Sequence, residues 1–280
     1  MGLDDTREKQ VQIGTVVRMK GGVFMGKKMI GIISVAVVVL FLTAGILIGT
    51  KTISITPFLA KGYEMQGVDV SHYQGEIDWN RIEEQGIQFA YIKATEGSHS
   101  VDAAFRQNWQ EISRTGLYAG VYHFFSFDSA GEDQACHFIN TVGELQGKLI
   151  PAVDVEYYGD KEKNPPDKGS LCRELQAMLD KLEEQYGVKP AIYTTYPVYY
   201  RYLNEDFEGY PLWVRNVYFS PNMDMRGKWT MWQYSDTTEM EGYEGEEPFI
   251  DRDVYSGTVQ EWKEKMCLPI LDFTLSFRKM

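Results

Sequence analysis

The sequence predicts an α/β chain, an irregular β/α barrel of about five βα units followed by three strands, preceded by a single transmembrane helix. Three observations carry this reading. An uncharged apolar run of 20 residues fills 30–49. From Gly67 to Thr195, strand-like runs alternate with runs of helical periodicity. Beyond Pro197 the rhythm changes, and strand-like runs follow one another through connections with little helical character.

The first run, IGIISVAVVVLFLTAGILIG, has the length that a helix needs to cross the ~30 Å hydrocarbon layer of a bilayer. Arg18, Lys20, Lys27 and Lys28 precede it and only Lys51 follows closely. The positive-inside rule then places residues 1–29 in the cytoplasm and the remainder outside the cell membrane, a single-pass topology. A cleaved signal peptide is the rival reading. The run exceeds the usual ~7–15 apolar residues of such a peptide, and the segment before it is unusually long. No clean small-x-small site follows, Phe58-Leu59-Ala60 being the nearest approach. Residues 30–50 are therefore expected to contact the lipid bilayer, and 51–66 to form a short stalk.

Strands are predicted at 67–71, 89–95, 117–125, 149–156 and 190–195, with helices near 79–85, 103–115, 130–142 and 171–186. The last helix spaces Leu171, Leu175, Met178, Leu179 and Leu182 along one face and stops at Gly187. Further strands follow at 211–217, 229–235 and 249–255. The barrel domain is bounded at 67–266, and the tail 267–280 is apolar but too short to span a membrane.

Composition narrows the chemistry. Apolar residues make up 44% of the 280, enough to fill one sizeable core. Residues 1–51 carry a net charge of +4 and the rest −16, so the main domain offers no basic groove and no nucleic-acid partner is expected. Cys136, Cys172 and Cys267 are too sparse for a disulfide framework, although one bridge stays open. The four histidines form no ligand cluster, and neither metal nor cofactor is expected. Eighteen tyrosines and six tryptophans, many beside acids, suit a sugar-binding cleft as well as they suit a core.

In a β/α barrel, reactive groups gather at the C-terminal ends of the strands. Those ends are acidic here: Asp69, Glu96, the Asp154–Glu156 pair and Asp251. Carboxyl groups converging on one mouth repel one another, which should raise some of their pKa values. The segment PAVDVE puts Asp154 and Glu156 two apart, hence on one face of a strand. Two carboxyls on one side of a cleft are able to divide glycosidic hydrolysis between them, one protonating the leaving oxygen and one stabilising the cationic sugar. An isolated D-x-E is more often a structural or solvated pair, so the motif alone decides little.

The ordered set of motifs decides more. GVDVSHYQG at 67–75, IKATEG at 92–97, VDAAFRQNW at 101–109, AGVYHFF at 119–125, PAVDVE at 151–156, WQYSD at 232–236 and IDRDVY at 250–255 together cover nearly all of 67–266. In this order and spacing the chain resembles glycoside hydrolase family 25, the lysozymes of the Chalaropsis type. The resemblance implies a muramidase that cleaves the β-1,4 bond between N-acetylmuramic acid and N-acetylglucosamine, with peptidoglycan glycan strands as its partner. It implies Glu156 as general acid and Asp154 as the group that helps the reacting sugar, with Asp69 and Asp251 as further cleft acids. Whether the protein or the substrate's acetamido group supplies the nucleophile stays open at this stage.

Tyr122, His123, Trp213, Trp232, Tyr234 and Lys93 are the expected substrate-binding residues. A lone histidine at a strand end is more often structural, and the aromatic residues suit core packing equally. Lys93 is expected to alternate inward with Tyr91 and Thr95. Two positions depart from the family pattern: Asp253 stands where Asn is common, and Arg215 where small residues are usual. The alternatives to a muramidase are an inactive peptidoglycan-binding scaffold, or a hydrolase of another amino-sugar polymer.

Overall fold

The computed structural model describes residues 27–270, so the expectations for the basic segment before Lys27 and for the tail beyond Ile270 lie outside the described residues. The chain divides into two units, the first ending at Leu47 and the second beginning at Ile48.

Helix α1 (Lys27–Gly49) contains a 21-residue span, Met29–Gly49, with a mean hydropathy of 2.8. It has no polar face: Ile32, Leu40 and Phe41 point in different directions and are all exposed. Its hydroxyls turn inward, Ser34 donating to the Ile30 carbonyl and Thr43 to that of Val39. Such back-bonding satisfies a polar side chain without water. The helix is long and apolar enough to cross a membrane.

The second unit is built on a closed barrel of eight strands. They are β1 (Gln66–Val70), β2 (Phe89–Glu96), β3 (Tyr118–Phe124), β4 (Ala152–Val155), β5 (Ala191–Thr195), β6 (Leu212–Arg215), β7 (Met231–Thr238) and β8 (Ile250–Tyr255). Pairings from β1 through β7 are parallel. β8 runs antiparallel to both β7 and β1 and closes the ring. Helices α3 (Trp79–Glu84), α4 (Phe105–Ile112), α5 (Gly131–Val142) and α6 (Lys168–Tyr186) follow the first four strands, and short helical turns at Tyr196–Val198 and Tyr199–Leu203 follow β5. Five βα units and three further strands are therefore present, as the sequence predicts.

Local chemistry explains the elements. Asp167 caps α6 by accepting from the Ser170 amide, and Gly187 ends it in a left-handed conformation with φ 73°. The five apolar residues spaced along α6 are all buried. All four residues of β4 are buried because the barrel interior covers one face and the helical layer the other. Inside the barrel, large rings sit opposite small residues. A Cβ on Gly120 would lie 2.6 Å from the Tyr91 ring, and one on Gly67 would lie 2.2 Å from that of Phe89. The Tyr91 ring in turn lies 5.0 Å from that of Trp213, tilted by 41°, and Trp213 fills the barrel beneath its mouth.

One expectation is revised. Residues 51–66 fold onto the barrel rather than form a separate short stalk. Helix α2 (Thr56–Ala60) buries Thr56 and Ala60, the Tyr63 ring meets Trp229 in a T-shaped contact with ring centres 5.6 Å apart, and Met65 is buried. The three cysteines are all free thiols.

Candidate active site

The mouth of the barrel is formed by inward-facing residues at the strand ends. On β4 and its extension, Asp154 and Glu156 share the inward face. Asp69 of β1 sits directly across from Asp251 of β8. With Lys93, Tyr122, Tyr193, Trp213 and Gln233 they line a cavity of about 180 Å³. Glu156 also lines a neighbouring cleft of about 480 Å³, walled by Tyr157, Tyr196, Arg215 and Phe219. It therefore stands at the seam between two concave spaces. A separate cavity bounded by Ile192, Leu212 and Thr230 opens at the starts of β5 and β6, the end of the barrel away from these acids.

The electrostatics follow from burial. Asp154, with one carboxyl oxygen unpartnered among the described residues, is held well above the usual carboxylate range by burial first and by the Glu156 charge second. Burial also raises Glu156, against the pull of the Arg215 and Lys93 cations. Asp69 and Asp251 are both pushed well up, again chiefly by burial and then by neighbouring carboxyls. The upward shifts match the expectation for converging acids, but desolvation outweighs the mutual repulsion from which they were expected. A carboxyl that keeps its proton towards neutral pH is what a general acid requires.

Two cations balance the site. Lys93 lies inside the cavity, its Nζ 2.7 Å from Glu96 and 4.6 Å from the centre of the Phe124 ring. Arg215 pairs with Asp236, which also accepts from Lys51 at 2.5 Å. Burial pulls Asp236 upward, but the hydrogen bonds and charges of Lys51 and Arg215 outweigh it and leave the carboxyl below its usual range.

The structure brings together Asp69, Lys93, Tyr122, Asp154, Glu156, Trp213 and Asp251. It places three of the expected residues elsewhere. His123 is fully buried on the outer face of β3, bonded to Thr95 Oγ1 at 2.7 Å and Gln134 Oε1 at 3.0 Å, with its ring edge-on to Phe138 of α5. Trp232 and Tyr234 also face outward. The Trp232 indole donates to the Asn216 carbonyl at 2.7 Å, and the Tyr234 ring lies 5.8 Å from the Arg252 guanidinium. Thr95 does not share the inward face of Lys93, because a bulge between them sets Thr95 beside His123.

Sequence reasoning missed Tyr193 and Gln233. Gln233 lies between the two expected aromatics, and strand alternation puts it on the opposite face from both. The fixed parity of β7 was the signal that could have found it.

The chain matches the family model described as glycosyl hydrolases family 25 over residues 68–243. It is 37% identical over 205 residues to protein YegX of Escherichia coli K12, covering 71% of this chain and 72% of that one. It is 30% identical over 213 residues to lysozyme M1 of Streptomyces globisporus, covering 69% and 68% respectively. Among solved structures, a family 25 glycosyl hydrolase from Bacillus anthracis superimposes with a TM-score of 0.69 at 42% identity, over 73% of this chain and 94% of that one. Eight closed strands, a mouth lined by buried carboxyls and these matches lead to one conclusion: the chain is a glycoside hydrolase and belongs to glycosyl hydrolase family 25.

Proposed function

We propose that the protein is a membrane-anchored, outward-facing muramidase that cleaves the β-1,4 bond between N-acetylmuramic acid and N-acetylglucosamine in peptidoglycan. The observation that carries this reading is the position of Glu156 at the seam of two adjoining cavities. A glycan laid across both would bring the linking oxygen beside a carboxyl whose pKa burial raises, as a general acid requires. Glu156 is assigned as the general acid. Asp154, deeper on the same face, is assigned to orienting and stabilising the 2-acetamido group of the reacting sugar as it attacks its own anomeric carbon. The bond to the leaving oxygen breaks as Glu156 gives up its proton. Water later opens the cyclic intermediate, and its proton returns to Glu156.

Asp69 and Asp251 complete the acidic wall, while Tyr122, Trp213 and Lys93 shape the sugar-facing surface. The names of two relatives, lysozyme M1 and N,O-diacetylmuramidase, support peptidoglycan as the substrate class. The apolar α1 and the basic residues before it support retention in the cell membrane, with residues 1–29 cytoplasmic and the barrel extracellular.

The test is digestion of peptidoglycan by the full chain in detergent. Glu156→Gln should lower the rate by about 10²–10⁴-fold, the usual contribution of a general acid, without lowering the melting temperature. A variant that keeps full activity removes Glu156 from the mechanism. Binding without product by the unaltered chain would favour a scaffold instead.

A further inference from the structure

Behind the cavity acids lies Asp253 of β8, which has no exposed surface and does not line the cavity. We propose that Asp253 is a positioning residue that holds a proton in common with Asp69, so that this carboxyl pair stays partly protonated while the enzyme works. The inference rests on the muramidase reading for its effect on catalysis, but not for the pairing itself.

The hydrogen bonds around the pair leave one gap. Trp213 Nε1 donates to Asp253 Oδ1 at 2.8 Å. Tyr193 donates to Gln233 Oε1 at 2.9 Å, which fixes the amide so that its NH₂ donates to Asp69 Oδ2 at 2.7 Å. One oxygen of each carboxyl is thereby committed as an acceptor. The remaining oxygen of Asp253, Oδ2, is buried with no donor among the described residues, and the Asp253 and Asp69 side chains lie within hydrogen-bonding reach of each other.

Two buried carboxylates in contact are not both ionised, because each charge costs several kcal/mol to desolvate and each repels the other. A proton between them supplies the missing donor. Burial accordingly pushes Asp253 up to about 8 and holds Asp69 well above its ordinary range. The proton belongs to the pair rather than to either member.

The surroundings supply little compensating charge. Asp251 on the same strand raises Asp253, while Arg252 beside it lowers it but extends over the outer face onto Tyr234. From β2, Tyr91 contributes a hydroxyl that donates to the Ile150 carbonyl instead. Towards the cavity, Asp69 is the member that acts on Asp154 and Asp251, raising both when charged. Loss of the common proton thus adds charge behind the reacting pair.

The test is Asp253→Asn. Its amide keeps an oxygen for Trp213 and offers N–H to Asp69, replacing the proton by a permanent donor. In wild-type-minus-variant infrared difference spectra of the full chain at neutral pH, a carbonyl band of a protonated carboxylic acid is expected. Asp69→Asn should lose the same band, which keeps the reading available if one variant folds poorly. The basic limb of kcat/KM on peptidoglycan should move to lower pH in Asp253→Asn, because the charge that the pair gains on losing its proton, which raises the cavity acids, has been removed. Absence of the band, or a basic limb that stays in place, overturns the proposal. The infrared reading needs no substrate, so it stands apart from any failure of the muramidase assignment.

Discussion

His123 provides a stability prediction whose size follows from the structure. The ring is fully buried between Thr95 and Gln134, and burial lowers its pKa from 6.5 to about 3. For a base with a lowered folded value, the unfolded chain takes the proton first. The native state is therefore unpenalised above pH 6.5 and loses stability as the pH falls towards the folded value near 3. With 1.36 kcal/mol for each tenfold difference, the loss is about 3 kcal/mol at about pH 4.5 and approaches about 5 kcal/mol at lower pH. His123→Gln keeps a neutral hydrogen-bonding group at the site and cannot be protonated. Urea unfolding of both proteins at about pH 7 and about pH 4.5 should show the variant losing about 3 kcal/mol less than the wild type between the two conditions. Comparing the two cancels the contribution of the cavity acids, whose raised values act in the opposite direction. Parallel losses in both proteins would refute a buried neutral His123.

Two further perturbations probe the packing and the charge balance. Gly120→Ala drives a methyl group to 2.6 Å from the Tyr91 ring and disturbs its 3.1 Å bond to the Ile150 carbonyl. A loss of about 2–4 kcal/mol, seen as a fall of roughly 4–16 °C in thermal unfolding, is expected; an unchanged Tm contradicts the packing described. Arg215→Gln removes a cation that holds Glu156 down and pairs with Asp236, so Glu156 should keep its proton to higher pH. The basic limb of kcat/KM then moves upward, and a downward shift would contradict the assigned influence.

Much of this architecture was legible because barrel strands and their helices carry strong local periodicity. The spacing along α6 and its Gly187 stop are both readable from neighbouring residues alone. The acids at the strand ends were readable for the same reason, since Asp154 and Glu156 share a face by parity. What was not legible depends on partners distant in sequence. Trp232 and Tyr234 were expected in the cleft, yet they share a face by parity and that face packs outward, which leaves Gln233 inside. His123 faces outward by simple alternation from Tyr122, and a bulge that nothing in IKATEG announces brings Thr95 beside it. The folding of 51–66 onto β7 rests on Tyr63 meeting Trp229 and Trp232, residues some 170 positions away. Lys51, the only described non-glycine residue with positive φ, at 56°, reaches Asp236 at the rim of the site.

The central claim is that Glu156 delivers a proton to the bond between N-acetylmuramic acid and N-acetylglucosamine. Mass analysis of peptidoglycan fragments released by the full chain tests it most directly, with Glu156→Gln as the paired control. The account predicts fragments that end in a reducing N-acetylmuramic acid and that disappear with the variant. Fragments ending in reducing N-acetylglucosamine, or equal release by the variant, would contradict it.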